Sequence, residues 1–142
     1  MPGASRSIVI SAPADKVFDV IAAYEQYPEF MAEVKEIKLS NRKGNQVDVQ
    51  YKVEMMKTIK YSLRMTEERP TRLSWTFIEG EFMKDNQGSW VLEPAGEGQT
   101  KATYNIEMAL GPLVPKSIVN AMVETQLPKM LESVKKRVEA RK

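Results

Sequence analysis

The chain has no cysteine and no histidine among its 142 residues. Without cysteine there is no disulfide, no thiolate nucleophile and no thiolate metal site. Without histidine the commonest metal ligand and the usual general base near neutral pH are missing. Zinc sites built on these side chains, and Ser-His or Cys-His triads, are excluded by composition. No apolar run approaches the roughly 20 residues that span a bilayer, and residues 1–5 open no apolar leader. These absences predict a soluble, cytoplasmic protein with no metal and no cofactor. An excess of one charge is also missing: 21 Lys and Arg face 19 Asp and Glu, for a net +2. That balance is too mild to point to DNA.

What is present describes an ordinary globular chain. Its length suggests one domain over residues 1–142, large enough to bury about 68–70% of the surface its unfolded chain exposes. Nine methionines are many for this length. Met fills irregular cores and also lines adaptable apolar pockets, and both readings stay open.

Two periodicities organise the chain. Ile8, Val9 and Ile10 read as a short strand ended by Ala12-Pro13. Pro13 and Asp15 suit the first turn of a helix whose stripe is Val17, Phe18, Val20 and Ile21. A second short helix is expected around Glu25 to Met31, with Tyr24, Tyr27 and Phe30 on one face. A strand then runs from Val34 to Leu39, with a hairpin turn at Asn41 to Asn45. Val47, Val49, Tyr51, Val53 and Met55 alternate with polar residues, as do Ile59, Tyr61, Leu63 and Met65. Leu73, Trp75 and Phe77 continue the pattern, followed by a loop from Gly80 to Gly88. Trp90 and Leu92, then Ala102, Tyr104, Ile106 and Met108, complete it. From Pro115 to Arg141 the apolar spacing becomes helical, with Pro128 set to kink a helix of roughly 40 Å. The order is β-α-α-β(6)-α. Short turns favour an antiparallel meander, and its apolar face needs the last helix as cover.

Candidate functional residues follow from phase. Tyr51, Tyr61, Trp75, Phe77, Trp90 and Tyr104 point inward, as core or as pocket wall. Glu79 is in phase with Trp75 and Phe77. Either it turns inward as a candidate base, with Tyr61 or Tyr104 as partner, or the strand ends and it is solvated; the cost of burying a carboxylate favours the second. Phe82, Met83, Leu113 and Val114 are apolar loop residues, read as packing or as a cavity mouth. Lys129, Lys135, Lys136, Arg137, Arg141 and Lys142 gather near the C-terminus. They offset the helix dipole or form a surface for anionic membrane or ribosomal RNA.

Several motifs carry a resemblance. Ala12-Pro13 with Val17-Phe18, then Tyr27-Pro28-Glu29-Phe30, Gly80-Glu81-Phe82, Gly88-Ser89-Trp90 and the stretch from Gly98 to Tyr104 together resemble the START-like, helix-grip superfamily. The nearest likeness is to the polyketide cyclase/dehydrase family, with its coenzyme Q-binding and RatA-type members. The resemblance implies an α+β helix-grip fold: a curved seven-stranded antiparallel sheet around a long C-terminal helix, with two short helices after the first strand. It implies an internal cavity for a lipid, quinone or polyketide, lined by the inward aromatics with Met55, Leu63 and Phe82, and by Met108, Ile118 and Met122. Phe30 is followed by Met31-Ala32-Glu33, not the Pro-Trp-Cys-like segment of coenzyme Q-binding relatives. The expected function is binding or transport of a hydrophobic small molecule, as monomer or dimer. The alternatives are a polyketide cyclase, with no firm catalytic residue, and a ribosome-interacting module.

Overall fold

The computed structural model describes residues 3–55, 57–112 and 114–141, leaving aside the side chains of Met55, Val119, Met122 and Val123. Strand β1 (Gly3–Ile10) is followed by α1 (Ala14–Ile21), a 3-10 turn (Tyr24–Gln26) and α2 (Tyr27–Phe30). Six strands follow: β2 (Val34–Lys43), β3 (Gln46–Met55), β4 (Lys57–Glu68), β5 (Arg72–Gly80), β6 (Met83–Pro94) and β7 (Thr100–Leu110). The chain closes with α3 (Lys116–Ala121), a π-helical turn (Met122–Gln126) and α4 (Leu127–Arg141). The sheet is antiparallel throughout, in the order β1-β7-β6-β5-β4-β3-β2. Seven strands and a C-terminal helix give the meander and cover expected from the periodicity, and with them the helix-grip fold that the resemblance implies. Among the described residues no helix is long and apolar enough to cross a membrane.

Local chemistry explains the elements. Pro13 sits at the N-cap of α1, and its carbonyl accepts the Lys16 and Val17 amides. A proline there forfeits no helical hydrogen bond. Val17, Phe18, Val20 and Ile21 are buried, as their spacing predicts. Pro28 opens α2, where Tyr27 packs edge-to-face on Tyr24 and on Phe30, both at 5.9 Å. The buried Thr100 hydroxyl donates to the Ala12 carbonyl at 2.7 Å, tying the β1–α1 corner to β7.

The last helix is not one continuous α-helix from Pro115. It starts at Lys116 and widens to a π turn just before Pro128. Proline brings no amide hydrogen and crowds the carbonyl four residues earlier, so the preceding turn expands. Leu127, Leu131, Val134 and Val138 of α4 are buried. Its polar side reaches edge strand β1: Lys135 donates to the Val9 carbonyl at 2.8 Å, and Glu139 accepts the Ser11 amide at 2.9 Å. These bonds tie α4 to the C-terminal end of the edge strand.

The expected loop at Gly80 to Gly88 is mostly strand. β5 runs to Gly80 and β6 starts at Met83, so only Glu81 and Phe82 connect them. Residues 84–87 lack an alternating apolar pattern, yet they pair with β7 across a bulge between Met83 and Asp85. Pairing to a regular neighbour supplies what the local sequence lacks. The β2–β3 hairpin is also tighter than the Asn41–Asn45 composition suggests: β2 runs to Lys43 and Gly44 turns with φ +60°.

On the outer face Asp48 accepts from Arg64 Nε at 2.9 Å and from Asn41 at 2.9 Å. The Arg64 and Asn41 hydrogen bonds hold its carboxyl below the usual carboxylate range. A depressed pKa contributes stability above the unfolded value, near roughly pH 4, and loses it as the pH falls through the folded value. Arg64 is half exposed, so the contribution is under about 1 kcal/mol. Asp48→Asn is therefore expected to lower stability at neutral pH and to match the wild type in strong acid, read from urea melts across the acid range. A deficit that persists unchanged into strong acid would contradict this.

Candidate ligand-binding site

Inner-face positions alternate along every strand, and their burial grades from one end of the sheet to the other. At the α1 end Ile10, Val47, Val49, Met65, Leu73 and Ala102 are at most 2% exposed. Toward the β3–β4 and β5–β6 tips, Ile59, Tyr61, Phe77, Ile106 and Met108 share the same face but are only half-buried. α4 packs on β1, α1 and α2.

The border between these zones is aromatic. Trp75 and Trp90 lie 5.3 and 5.0 Å from Tyr104, and Tyr51 stacks on Tyr61 at 4.9 Å with an 8° interplanar angle. Tyr27 leans on Tyr51 at 6.3 Å. The Trp75 indole donates to the buried Asn86 side chain at 3.0 Å. Cross-strand register sets these neighbours: Tyr51 is opposite Tyr61, and Trp90 opposite Tyr104.

Five tyrosines divide by what their hydroxyls meet. Tyr24 donates to Glu67 at 2.7 Å, and Glu67 is also clamped by Arg42 at 2.9 Å. Tyr27 donates to the Ile21 carbonyl. The hydroxyls of Tyr51, Tyr61 and Tyr104 make no hydrogen bond to a described residue. Burial pushes the pKa of all three up. Glu33 adds to the rise at Tyr61, and neighbouring tyrosines with Glu33 add to it at Tyr104. Groups shifted this way stay neutral at physiological pH, so they serve as hydrogen-bond donors and not as bases.

The predicted residues separate accordingly. Tyr51, Tyr61, Leu63, Trp75, Phe77, Trp90, Tyr104 and Met108 share the inner face. Ile118 is half-buried on α3. The side chains of Met55 and Met122, and Leu113 altogether, lie outside the described residues. Phe82 is 38% exposed at the β5–β6 tip, with Lys57 Nζ 3.9 Å above its ring. Its carbonyl accepts the Gly111 amide at 3.0 Å, which brings the two predicted mouth segments together.

Glu79 does not join the tyrosines. Leu63 pairs with Phe77 but Ser62 pairs with Glu79, so Ile78 is an extra residue in β5. A bulge shifts the following residue to the opposite face. Glu79 is exposed beside Ser62, and Gly80 takes the inner position opposite Tyr61. A Cβ on Gly80 would fall 2.6 Å from Tyr61 Cβ, so the bulge and the glycine act together. Glu33, in the turn before β2, is the carboxylate that acts on Tyr61 and Tyr104. It follows α2 directly, has no periodic pattern around it, and drew no attention in the sequence.

The basic C-terminal residues are partly engaged inside the protein. Arg137 pairs with Glu29 at 2.6 Å, bonds Gln26 at 3.1 Å and lies over Phe30 at 5.1 Å. Lys135 bonds β1 and pairs with Glu139 at 3.3 Å. Lys129, Lys136 and Arg141 remain exposed.

Comparison with known proteins agrees with the fold. The Zhui aromatase/cyclase from Streptomyces sp. R1128 is 14% identical, with a TM-score of 0.89 over 99% of this chain and 94% of that one. A START superfamily protein from Mycobacterium smegmatis is 16% identical, with a TM-score of 0.86 over 99% of both chains. A STAR-related lipid transfer protein fragment from Xanthomonas axonopodis is 14% identical, with a TM-score of 0.79 over 96% of this chain and 85% of that one. At such identities the likeness shows a shared fold. No curated protein sequence matches. Residues 1–139 match the family described as polyketide cyclase / dehydrase and lipid transport, and the chain belongs to that family.

Proposed function

We propose that the interior between the sheet and the C-terminal helix takes up a hydrophobic small molecule of the lipid, quinone or polyketide kind. Tyrosine hydroxyls would bind its polar end. The observation that carries this reading is the set of three inward phenols, Tyr51, Tyr61 and Tyr104, without hydrogen-bond partners among the described residues. A phenol without a partner in the protein keeps its donor available for an oxygen of a bound ligand. Tyr61 and Tyr104 stand where apolar inner-face residues stay half-buried. Family membership supports the ligand class.

Binding is favoured over turnover because the phenols are held neutral and Glu79 faces solvent. A cyclase needs a base at the reacting carbon, and neither group supplies one there.

Mass spectrometry of an organic extract of the native protein is expected to find one such compound in stoichiometric amount. The Tyr61→Phe, Tyr104→Phe double variant removes two donors worth roughly 1 kcal/mol each. It is expected to bind the extracted compound about 30-fold more weakly. Unchanged affinity in a folded double variant would remove the tyrosines from the site.

A further inference from the structure

We infer that Asn86 is a ligand-binding residue of this site, donating from its side-chain Nδ2 to a neutral acceptor oxygen such as the carbonyl of a ketone, quinone or ester. The inference rests on the binding reading above. It adds one residue to the site and the hydrogen-bond character of the ligand's polar end.

Asn86 belongs to β6, where it pairs with Met108 of β7; Gly88, two residues on, pairs with Ile106. Alternation puts Asn86, Gly88 and Trp90 on the inner face together. Met108 and Ile106 are half-buried there, and Asn86 itself is only 4% exposed. A polar side chain in that position calls for partners.

One half of the carboxamide has its partner. The Trp75 indole N–H donates to Asn86 Oδ1 at 3.0 Å. An indole nitrogen only donates, so this bond fixes which end of the amide is oxygen and which is nitrogen. Oxygen and nitrogen diverge from one planar carbon, so Nδ2 is turned away from the indole N–H. It carries two N–H groups and makes no hydrogen bond to a described residue. The main-chain amide of Asn86 is held separately, by Asp85 Oδ1 at 2.9 Å. An acceptor alone would satisfy the indole. The two donors are left over on the inner face, where the Tyr104 ring lies 5.3 Å from that of Trp75.

The chemistry of the ligand follows from that surplus. Nδ2 donates and does not accept, and Oδ1 is already engaged by Trp75. A carbonyl oxygen takes up two donors and asks for no acceptor in return. An alcohol or amine brings a proton of its own that needs one.

The test uses methyl heptyl ketone and its methylidene analogue, in which =CH2 replaces the carbonyl oxygen. Asn86→Leu keeps a branched side chain and removes the donors. Calorimetric titration is expected to show the ketone bound about tenfold more weakly by this variant, and the analogue within about twofold of wild type. Equal losses for both compounds would mean that Asn86 acts only by holding Trp75; the inference would fall while binding stood. A second measurement leaves Asn86 in place. Bound to the Tyr61→Phe, Tyr104→Phe double variant, the ketone with an isotope-labelled carbonyl should keep its infrared stretch below the frequency seen in hexane, because Asn86 still donates. A stretch at the hexane position would assign the hydrogen bonding to the phenols alone and overturn the role of Asn86. If neither compound binds the wild-type protein, the binding reading fails and takes this inference with it.

Discussion

Phe18→Ala is expected to destabilise the protein by about 3–5 kcal/mol. Phe18 is fully buried on α1, in the half of the molecule where the inner face of the sheet is completely covered. It belongs to the same buried core as Ile10, Val17 and Leu73, which are likewise at 0% exposure. Its ring also supports the Arg69 guanidinium at 4.7 Å, and Arg69 pairs with Asp19 at 2.8 Å. That exposed contact adds no more than about 0.5–1 kcal/mol, so the loss is mainly cavity and transfer. The midpoint of urea unfolding should fall with an unchanged slope. Phe77→Ala removes the same ring from the half-buried zone, and should cost about half as much. Equal losses at the two positions would contradict the gradient of packing on which the location of the site depends.

That gradient was not visible in the sequence, although the fold was. The alternation from Val47 to Met65 fixes which side chains share a face, because the side-chain period of a strand is two and register follows. Pro13, Asp15 and the stripe from Val17 to Ile21 set α1 in the same way. What periodicity does not carry is how far a cover extends. The spacing from Val119 to Val138 reads as one continuous helix, yet a π turn separates α3 from α4, and α4 makes the contacts with β1, α1 and α2. The phase of Tyr61 or Phe77 identifies an inward residue without saying whether anything meets it.

The site was legible where side chains obey strand phase and illegible where the phase breaks. Tyr51, Tyr61, Trp75, Trp90 and Tyr104 fall together because each lies in a regular ladder. Glu79 reads as inward by counting from Trp75, but the extra residue at Ile78 reverses the count. A bulge has no reliable signature in a run such as Thr76-Phe77-Ile78-Glu79. Gly80 hints at it, since a glycine inside a strand often marks a bulge or a close approach. Glu33 escapes for the opposite reason: it belongs to a turn, where position is set by the tertiary fold and no local pattern indicates direction.

Gly88→Ala is expected to cost about 2–4 kcal/mol and to disturb the site as well as the fold. Gly88 lies on the inner face of β6, opposite Ile106 on one side and Trp75 on the other. A Cβ there would stand 2.2 Å from the Asn105 carbonyl oxygen and 2.7 Å from Trp75 Cζ2. The carbonyl is backbone in β7 and cannot yield without loosening the ladder. The indole is held by its hydrogen bond to Asn86, a residue only 4% exposed, so swinging it leaves a buried polar group unpaired. Either response moves Trp75 relative to Tyr104, now 5.3 Å away. Loss of stability should therefore come with a shift in tryptophan emission and weaker ligand uptake by the folded fraction. Gly44→Ala is the control: its Cβ meets nothing within 4 Å, and only the φ of +60° opposes it. That change should cost about 1 kcal/mol and leave emission and uptake unaltered. If Gly88→Ala were no worse than Gly44→Ala, Trp75 would be free to move. The aromatic border between the packed half and the open half would then not be a fixed wall of the site.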